Sequence, residues 1–301
     1  MFRHTRSFVK NHIQTTGLIS QKLNQKMLSD YAFEAYIVGS DQVWRPRYSP
    51  QLPSFFLDFL ADNAGVRKIA YAASFGVSDW EFSEAQTSAF GRLLRLFDAV
   101  SVREDSGVAL CRQYFGLEAT RLPDPSLLLT AEDYSALAAG AERQTSPGEL
   151  YTYILDRTDD KDRVIGYLAK KHHWQPFTVM PDKNATPAGR RIQAYVFPPV
   201  EEWLRAFAAA RFVVTDSFHG TVFSILFNKP FITLANQGRG LSRFSSLLKL
   251  FQLEDRLVQA ADESALDKLD KLNDIDWPKT RRLLQGEREK ALRFLTTCLA
   301  N

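Results

Sequence analysis

A histidine at the start of a predicted helix is the first residue in this sequence that is placed to do chemistry. The apolar run 212–215 predicts a strand, Asp216-Ser217 supplies capping side chains, and His219 falls in the first turn of the next helix. Open α/β sheets bind ligands at the carboxyl ends of their strands, and a helix start favours an anion. We therefore consider His219 an acid, a base or a hydrogen-bond donor to a phosphate, with Ser217 and Gly220 in the same turn. The alternative is a histidine that only packs under the sheet edge.

An arginine takes the corresponding place in the first half of the chain. Arg103 follows the strand-like run 99–102 and precedes a helix whose first turn carries Glu104 and Asp105. A guanidinium at such an edge can bind a carboxylate or phosphate through two parallel hydrogen bonds. The more ordinary role is an ion pair with the neighbouring acids.

A small-residue turn follows the apolar run 35–38. Gly39, Ser40 and Asp41 can present backbone N–H groups to a phosphate or a sugar, and Asp41 can bind a hydroxyl or cap the turn itself. The turn is neither a Walker loop nor a dinucleotide fingerprint, because the lysine and the glycine spacing of those motifs are missing.

A glycine-rich turn with two arginines follows the run 231–234, which we take as the last strand. Asn236, Arg239 and Arg243 suggest an anion contact, and solvated loop arginines are the alternative. No Cys/His spacing predicts a metal site, and Cys111 is expected in the core.

Short apolar strands alternate with amphipathic helices along the chain, which predicts an α/β protein with parallel sheets. The predicted strands are 35–38, 68–73, 98–102, 150–155, 176–180, 212–215 and 231–234. The predicted helices are 83–96, 104–115, 160–171, 201–210, 218–227 and a charged helix from about 277. Composition shifts to small residues at 138–148, so we predict one domain over 1–143 and another over 144–301.

Length and charge narrow the class of protein. The 301 residues suggest about two domains, and 38 basic against 35 acidic residues leave a net charge of +3. This balance argues against a nucleic-acid binder. Two cysteines suit a reducing compartment, no apolar run reaches about 18 residues, and the basic N-terminus lacks an apolar signal region. We expect a cytoplasmic protein.

Taken in order, several segments resemble the polysaccharide pyruvyl transferase family. They are YIVGSDQVW at 36–44, YAASFG at 71–76, SVREDSG at 101–107, LPDPSLLL at 122–129, VEEWL at 200–204, VVTDSFHGTVFSILFNKPFI at 213–232 and RFSSLL at 243–248. The resemblance implies two Rossmann-like domains arranged as in the glycosyltransferase-B fold, with the ligand between them. It implies transfer of pyruvate from phosphoenolpyruvate, as donor substrate, to sugar hydroxyls as a ketal, with no other cofactor.

The resemblance also implies roles for particular residues. Its histidine and its strand-end arginine fall on His219 and Arg103 as catalytic residues. Many members carry an arginine where this chain has Ser217, so that anion contact is expected either to be missing or to come from Arg239 or Arg243. The chain also starts at what resembles the segment after the family's first strand, so the first domain is expected to lack that strand. The implied acceptor is a cell-surface glycan or a lipid-linked precursor, and the latter would bring the protein to the inner face of the membrane.

Two other functions fit the same features. One is a glycosyltransferase-like enzyme that uses a nucleotide sugar. The other is a non-catalytic glycan-binding or assembly homologue, which the Ser217 substitution and the expected missing strand motivate.

Overall fold

A computed structural model describes residues 2–17, 23–139, 148–181, 196–259 and 263–300. The nine strands in these ranges are β1 (Ala35–Val38), β2 (Arg67–Ala73), β3 (Ala99–Val102), β4 (Thr120–Arg121), β5 (Leu150–Tyr153), β6 (Pro176–Phe177), β7 (Phe212–Thr215), β8 (Phe231–Leu234) and β9 (Leu257–Val258). The α-helices there are α1 (Arg3–His12), α2 (Glu84–Leu94), α3 (Asp105–Leu110), α4 (Ala131–Ala138), α5 (Asp159–His172), α6 (Val200–Ala209), α7 (Phe218–Leu226), α8 (Ser242–Phe251), α9 (Glu263–Asp270) and α10 (Trp277–Ala300).

The strands form two separate sheets, and every pairing within them is parallel. One sheet has the order β1-β2-β3-β4, and the other has the order β6-β5-β7-β8-β9. The prediction of an α/β protein with two parallel, Rossmann-like sheets is confirmed. Two details of the sequence prediction are wrong. The strand at 231–234 is not the last, because β9 follows it, and β6 ends at Phe177 rather than at residue 180.

The chain forms two compact units, each built from several segments. The β1–β4 unit comprises Leu18–Leu128, Gln237–Glu254 and Pro278–Asn301, and the β5–β9 unit comprises Met1–Gly17, Leu129–Asn236 and Asp255–Trp277. The predicted boundary between residues 143 and 144 lies outside the described residues and stays a prediction.

In the β1–β4 unit the central strand β2 is buried almost throughout. Its apolar residues pack on one side against a cluster of aromatic side chains that includes Trp44, Phe56 and Phe90. Its pairing with β3 shifts between Ala70 and Ala73. Ser101 holds this bulge, because its hydroxyl donates to Ala70 O at 2.9 Å and accepts from Ala72 N at 2.9 Å. A bulge at a strand end redirects the loop that follows, here residues 74–76.

Helix α10 packs on the other side of the same sheet. Ala291 is fully buried with Tyr71, Ala72 and Leu122. Helix α10 also fixes the segment after β4, since Lys290 Nζ donates to Arg121 O at 3.0 Å. The far end of the chain therefore supports the loop that carries Asp124.

The β5–β9 unit reverses its strand order between β5 and β7. From β5 the chain adds β6 on one side and then β7, β8 and β9 on the other. Ligands of open α/β sheets bind at the carboxyl ends of the two strands that flank such a reversal. The segments after Tyr153 and Thr215 occupy that place in this unit.

Candidate functional site

Arg103 lies at the carboxyl end of β3 and is the centre of the candidate site in the β1–β4 unit. Its guanidinium is buried, with Nη1 donating to Asp124 Oδ2 at 2.5 Å and Nη2 to Asp41 Oδ1 at 3.2 Å. Burial alone would lower the pKa of Arg103, but the charges of Asp124, Glu104 and Asp41 outweigh it and raise that pKa. The arginine is therefore a fixed positive charge, and its ion pairs reach Asp41 and Asp124 rather than only its chain neighbours.

Asp124 is a buried anchor for this guanidinium. Its Oδ2 also accepts from Ser40 Oγ at 3.1 Å, and its Oδ1 accepts from Ser126 N at 3.1 Å and Ser126 Oγ at 2.6 Å. Bonds to both oxygens hold the carboxylate in one orientation. Asp124 is thus a positioning residue for Arg103.

A second buried guanidinium, that of Arg243, lies beside the first. Arg243 stands in the first turn of α8, and its Nη2 donates to Arg239 O at 2.7 Å. Its Nη1 lies 3.7 Å from Asp41 Oδ1. Burial and the nearby charge of Arg103 lower the pKa of Arg243 to about 10, so it remains cationic at neutral pH.

We call Arg103, Arg243, Asp41 and Asp124 the arginine cluster. Asp41 is its exposed member, with 65% of its side chain accessible against 2% for Arg103 and 6% for Arg243. The cluster therefore presents two buried cations, and one exposed carboxylate lies between them and the solvent. Such an arrangement can bind an anion with hydrogen bonds from both guanidiniums.

Glu104 is a buried carboxyl that sequence reasoning treated only as a neighbour of Arg103. Its Oε1 accepts from Ser74 Oγ at 3.0 Å, Phe75 N at 2.9 Å and Gly76 N at 3.0 Å. Its Oε2 is buried with no hydrogen-bond partner among the described residues. Burial raises the pKa of Glu104, although Arg103 and the Gly76 N–H oppose that rise. Glu104 therefore ties the loop after β2 to the arginine cluster.

Glycine is required at two turns that border the cluster. Gly39 has φ of +143°, and a Cβ there would lie 1.9 Å from Tyr71 O. Gly240, with φ of +88°, would place a Cβ 1.8 Å from Gly76 O. The close approach of Gly39 brings Ser40 and Asp41 against the end of β2, and that of Gly240 brings the start of α8 against the same loop.

In the β5–β9 unit the helix start after β7 has the predicted geometry. Ser217 is the N-cap residue of α7, and its Oγ accepts from Gly220 N at 3.4 Å. A Cβ on Gly220 would lie 2.1 Å from Thr215 Oγ1, so the glycine lets α7 pack closely on the strand end. Ser217 and Gly220 are both buried, and they shape the turn from inside.

His219 is partly exposed in the first turn of α7, and its ring meets that of Phe218 edge-on at 5.4 Å. It follows β7, one of the two strands that flank the reversal of strand order. His219 is therefore partly accessible at the kind of strand end where open α/β sheets bind ligands, and its catalytic role stays a prediction.

Asp216 forms a buried polar centre beside this helix start, a role that its sequence position as a possible cap did not suggest. Its carboxylate accepts from Leu155 N at 2.6 Å and Asp156 N at 3.1 Å, and from Lys161 Nζ at 2.6 Å. Asn236, predicted to bind substrate, donates Nδ2 to Asp216 Oδ2 at 3.2 Å and to Asp156 Oδ2 at 2.7 Å. These bonds join the loops after β5, β7 and β8.

Comparison with known proteins shows the family to which the chain belongs. The model of the family described as polysaccharide pyruvyl transferase matches residues 4–238. The chain belongs to the polysaccharide pyruvyl transferase family. A comparison with curated proteins found no match. Among solved structures, sucrose-phosphate synthase from Thermosynechococcus elongatus is similar, with a TM-score of 0.46 and 17% identity over 89% of this chain and 71% of that one.

The predicted site residues are divided between the two units. Arg103, Gly39, Ser40, Asp41, Arg239 and Arg243 lie in the β1–β4 unit, whereas His219, Ser217, Gly220 and Asn236 lie in the β5–β9 unit. Sequence reasoning assigned no site role to Glu104, Asp124, Lys161 or Asp216. The family segments SVREDSG and LPDPSLLL already contained Glu104 and Asp124, which was the available signal.

Metal-binding clusters and membrane spans are both missing from the described residues. These residues contain no group of three or more His, Cys, Asp or Glu side chains arranged to hold a metal ion. In the same part of the chain, each helix is too short or too polar to cross a bilayer. Cys111 is buried, and burial raises the pKa of its thiol to about 12, as expected for a core cysteine.

Proposed function

We propose that this family member transfers a pyruvyl group from phosphoenolpyruvate to two hydroxyls of a glycan or of its lipid-linked precursor. The observation that carries the proposal is the pair of buried guanidiniums, Arg103 and Arg243, at the carboxyl end of the β1–β4 sheet. Phosphoenolpyruvate bears a carboxylate and a phosphate, and a guanidinium is the side chain best matched to each. We assign Arg243 and Arg239 the second cationic contact with the donor.

The reaction adds one proton to the methylene carbon of the donor and removes one from each of the two attacking hydroxyls, and the remaining proton ends on the phosphate that leaves. A proton adds to the methylene carbon of the donor, and the first sugar oxygen bonds to the adjacent carbon as it loses its own proton. The C–O bond to phosphate then breaks, phosphate leaves with the electron pair, and the second hydroxyl oxygen bonds to that carbon and releases its proton. The products are the ketal and inorganic phosphate.

We assign His219 the proton-transfer or phosphate-stabilising role, because histidine exchanges protons near neutral pH. The turn of Gly39, Ser40 and Asp41 and the buried residues Ser217, Gly220 and Asn236 are assigned to shaping the substrate sites. The family and the partly exposed position of His219 support this assignment.

Donor binding tests the proposal without knowledge of the acceptor. Thermal shift and calorimetry would compare phosphoenolpyruvate with a panel of nucleotide sugars. We expect phosphoenolpyruvate to stabilise the protein, and Arg243→Met to weaken its binding at least about tenfold, since a charged hydrogen bond contributes about 1.5–3 kcal/mol. Arg92→Gln, which removes an exposed charge from α2, is the matched control. Stabilisation by nucleotide sugars alone would favour the glycosyltransferase-like alternative and reject the proposed donor.

Turnover tests the histidine. With phosphoenolpyruvate and an accepted glycan, His219→Gln should release no phosphate while keeping the thermal midpoint of the wild type. Near-normal turnover in that variant would contradict the role of His219. Sugar binding without turnover in the wild type would favour the non-catalytic alternative.

A further inference from the structure

The acidic residues of the arginine cluster differ in how they are held. Asp124 is 1% exposed and is bonded through both oxygens to Ser40, Arg103 and Ser126. Asp41 is 65% exposed, yet its Oδ1 lies 3.2 Å from Arg103 Nη2 and 3.7 Å from Arg243 Nη1. One acid is built into the protein interior, whereas the other reaches the guanidiniums from the solvent side.

A single carboxylate oxygen shared between two guanidiniums occupies the position that an anionic ligand would take. Both cations are desolvated, so each is stabilised by an anion at this point. The exposed Asp41 carboxylate can rotate into the solvent, where it is hydrated, and an incoming anion then takes over its contact with the guanidiniums. Displacing Asp124 or Glu104 would instead leave a buried carboxyl without its hydrogen bonds.

We propose that the Asp41 carboxylate fills the anion position of the arginine cluster in the ligand-free protein and is displaced by the anionic group of the substrate. Asp41 is then a specificity-determining residue. A ligand must offer more than the single negative charge that it replaces, which favours a phosphate dianion over a simple carboxylate. The proposal rests on the proposed function only for the identity of the natural ligand.

Calorimetry with small anions tests this exchange directly. The probes are inorganic phosphate, phosphoenolpyruvate and acetate at fixed low ionic strength, and the variants are Asp41→Asn, Asp41→Ala and Asp41→Glu. We expect both neutral variants to bind phosphate about three- to tenfold tighter than the wild type, because the competing ion pair is gone. Asp41→Glu retains a competing carboxylate and should gain little. The ratio of the affinity for phosphate to the affinity for acetate should be smaller in the neutral variants than in the wild type.

Asp62→Asn is the matched control. Asp62 is exposed in the turn before β2, at the opposite end of that strand from the cluster, so its variant makes the same change in net charge at another place. If this variant bound phosphate as much tighter as the Asp41 variants do, net charge alone would explain the effect and the proposal would be overturned.

The outcomes separate this proposal from the proposed function. Phosphate affinity that is unchanged or weaker in both neutral variants overturns the displacement, even if phosphoenolpyruvate binds the wild type. Failure of every anion to bind any variant also overturns it. Tighter phosphate binding in the neutral variants, with no binding of phosphoenolpyruvate, supports the displacement and rejects the proposed donor.

Discussion

Glu104 shows how one buried carboxyl can tie a loop to a charged site. Its Oε1 receives the N–H groups of Phe75 and Gly76, and Arg103 is its chain neighbour. Because burial raises the pKa of Glu104, the folded protein holds the carboxyl proton of Glu104 more tightly than the unfolded chain does. Its contribution to stability is fully present below the unfolded pKa and is lost as the pH rises through the folded pKa.

This linkage predicts the pH behaviour of Glu104→Gln. The amide oxygen of glutamine can accept the same three hydrogen bonds, and the side chain cannot ionise. The variant therefore does not lose stability at the pH at which Glu104 deprotonates. We expect the difference in free energy of unfolding to move in favour of Glu104→Gln as the pH rises above about 4.3, the ordinary value for glutamate. Urea unfolding across that pH range measures it.

Glu118→Gln is the contrasting control for this experiment. Glu118 is an exposed glutamate whose pKa is lowered by its hydrogen bond and ion pair with Arg112. The difference in stability should therefore move against Glu118→Gln as the pH rises, which is the opposite direction. A Glu104→Gln variant that loses stability relative to the wild type as the pH rises would contradict the proposed linkage.

At the scale of elements, the contact between the turn after β1 and the strand β2 depends on Gly39. A side chain there would meet the backbone carbonyl of Tyr71 at 1.9 Å, and the φ of +143° is one that other residues rarely adopt. We expect Gly39→Ala to lower the free energy of unfolding by about 2 kcal/mol or more, measured by urea denaturation.

Gly286→Ala is the matched glycine control. Gly286 lies inside α10, and a Cβ at this position would have no neighbouring atom within 4 Å, so alanine adds helix propensity without a clash. We expect it to stabilise the protein by about 0.5–1 kcal/mol. Equal effects of the two substitutions would show that the clash at Gly39 is relieved at little cost.

Most of the elements followed from local pattern. Strands β1, β2, β3, β5, β7 and β8 and helices α2, α5, α6, α7 and α10 lie within a few residues of their predicted positions. The two-residue strands β4 and β9 were missed, because so short a segment has no alternation to detect. Helix α7 was predicted well because the cap, the strand and the glycine all lie within about ten residues.

The arginine cluster was only half predictable. Arg103 and Asp41 were selected separately, each at the end of an apolar run, but no spacing indicates that they share a hydrogen bond. Arg243 is distant in the chain and was grouped with the second domain, whereas it lies in the unit that contains Arg103. Local sequence pattern predicts where a strand ends, but it does not predict which strand ends lie in contact, because that depends on long-range packing.

At the scale of the whole molecule, α10 is part of the core of the β1–β4 unit. Ala291 is fully buried against Tyr71 and Ala72, so a charge there cannot be solvated. We expect Ala291→Glu to cost more than about 3 kcal/mol of stability, measured by thermal and urea unfolding. The neighbouring Leu292→Glu is the control, because Leu292 is exposed and should change stability by less than about 0.5 kcal/mol. Similar losses in both variants would contradict the packing of α10 on this sheet.

The interleaved segments of the β1–β4 unit have a consequence for the order of events during translation. The strands of its sheet end at Arg121, but Arg243 is made 122 residues later and α10 later still. At about 5–20 residues per second, the ribosome takes roughly 6–24 seconds to cover that interval. A nascent chain therefore carries Arg103 and its acids well before Arg243 and α10 are made, and any chaperone that protects it must hold a sheet whose α10 face is still uncovered.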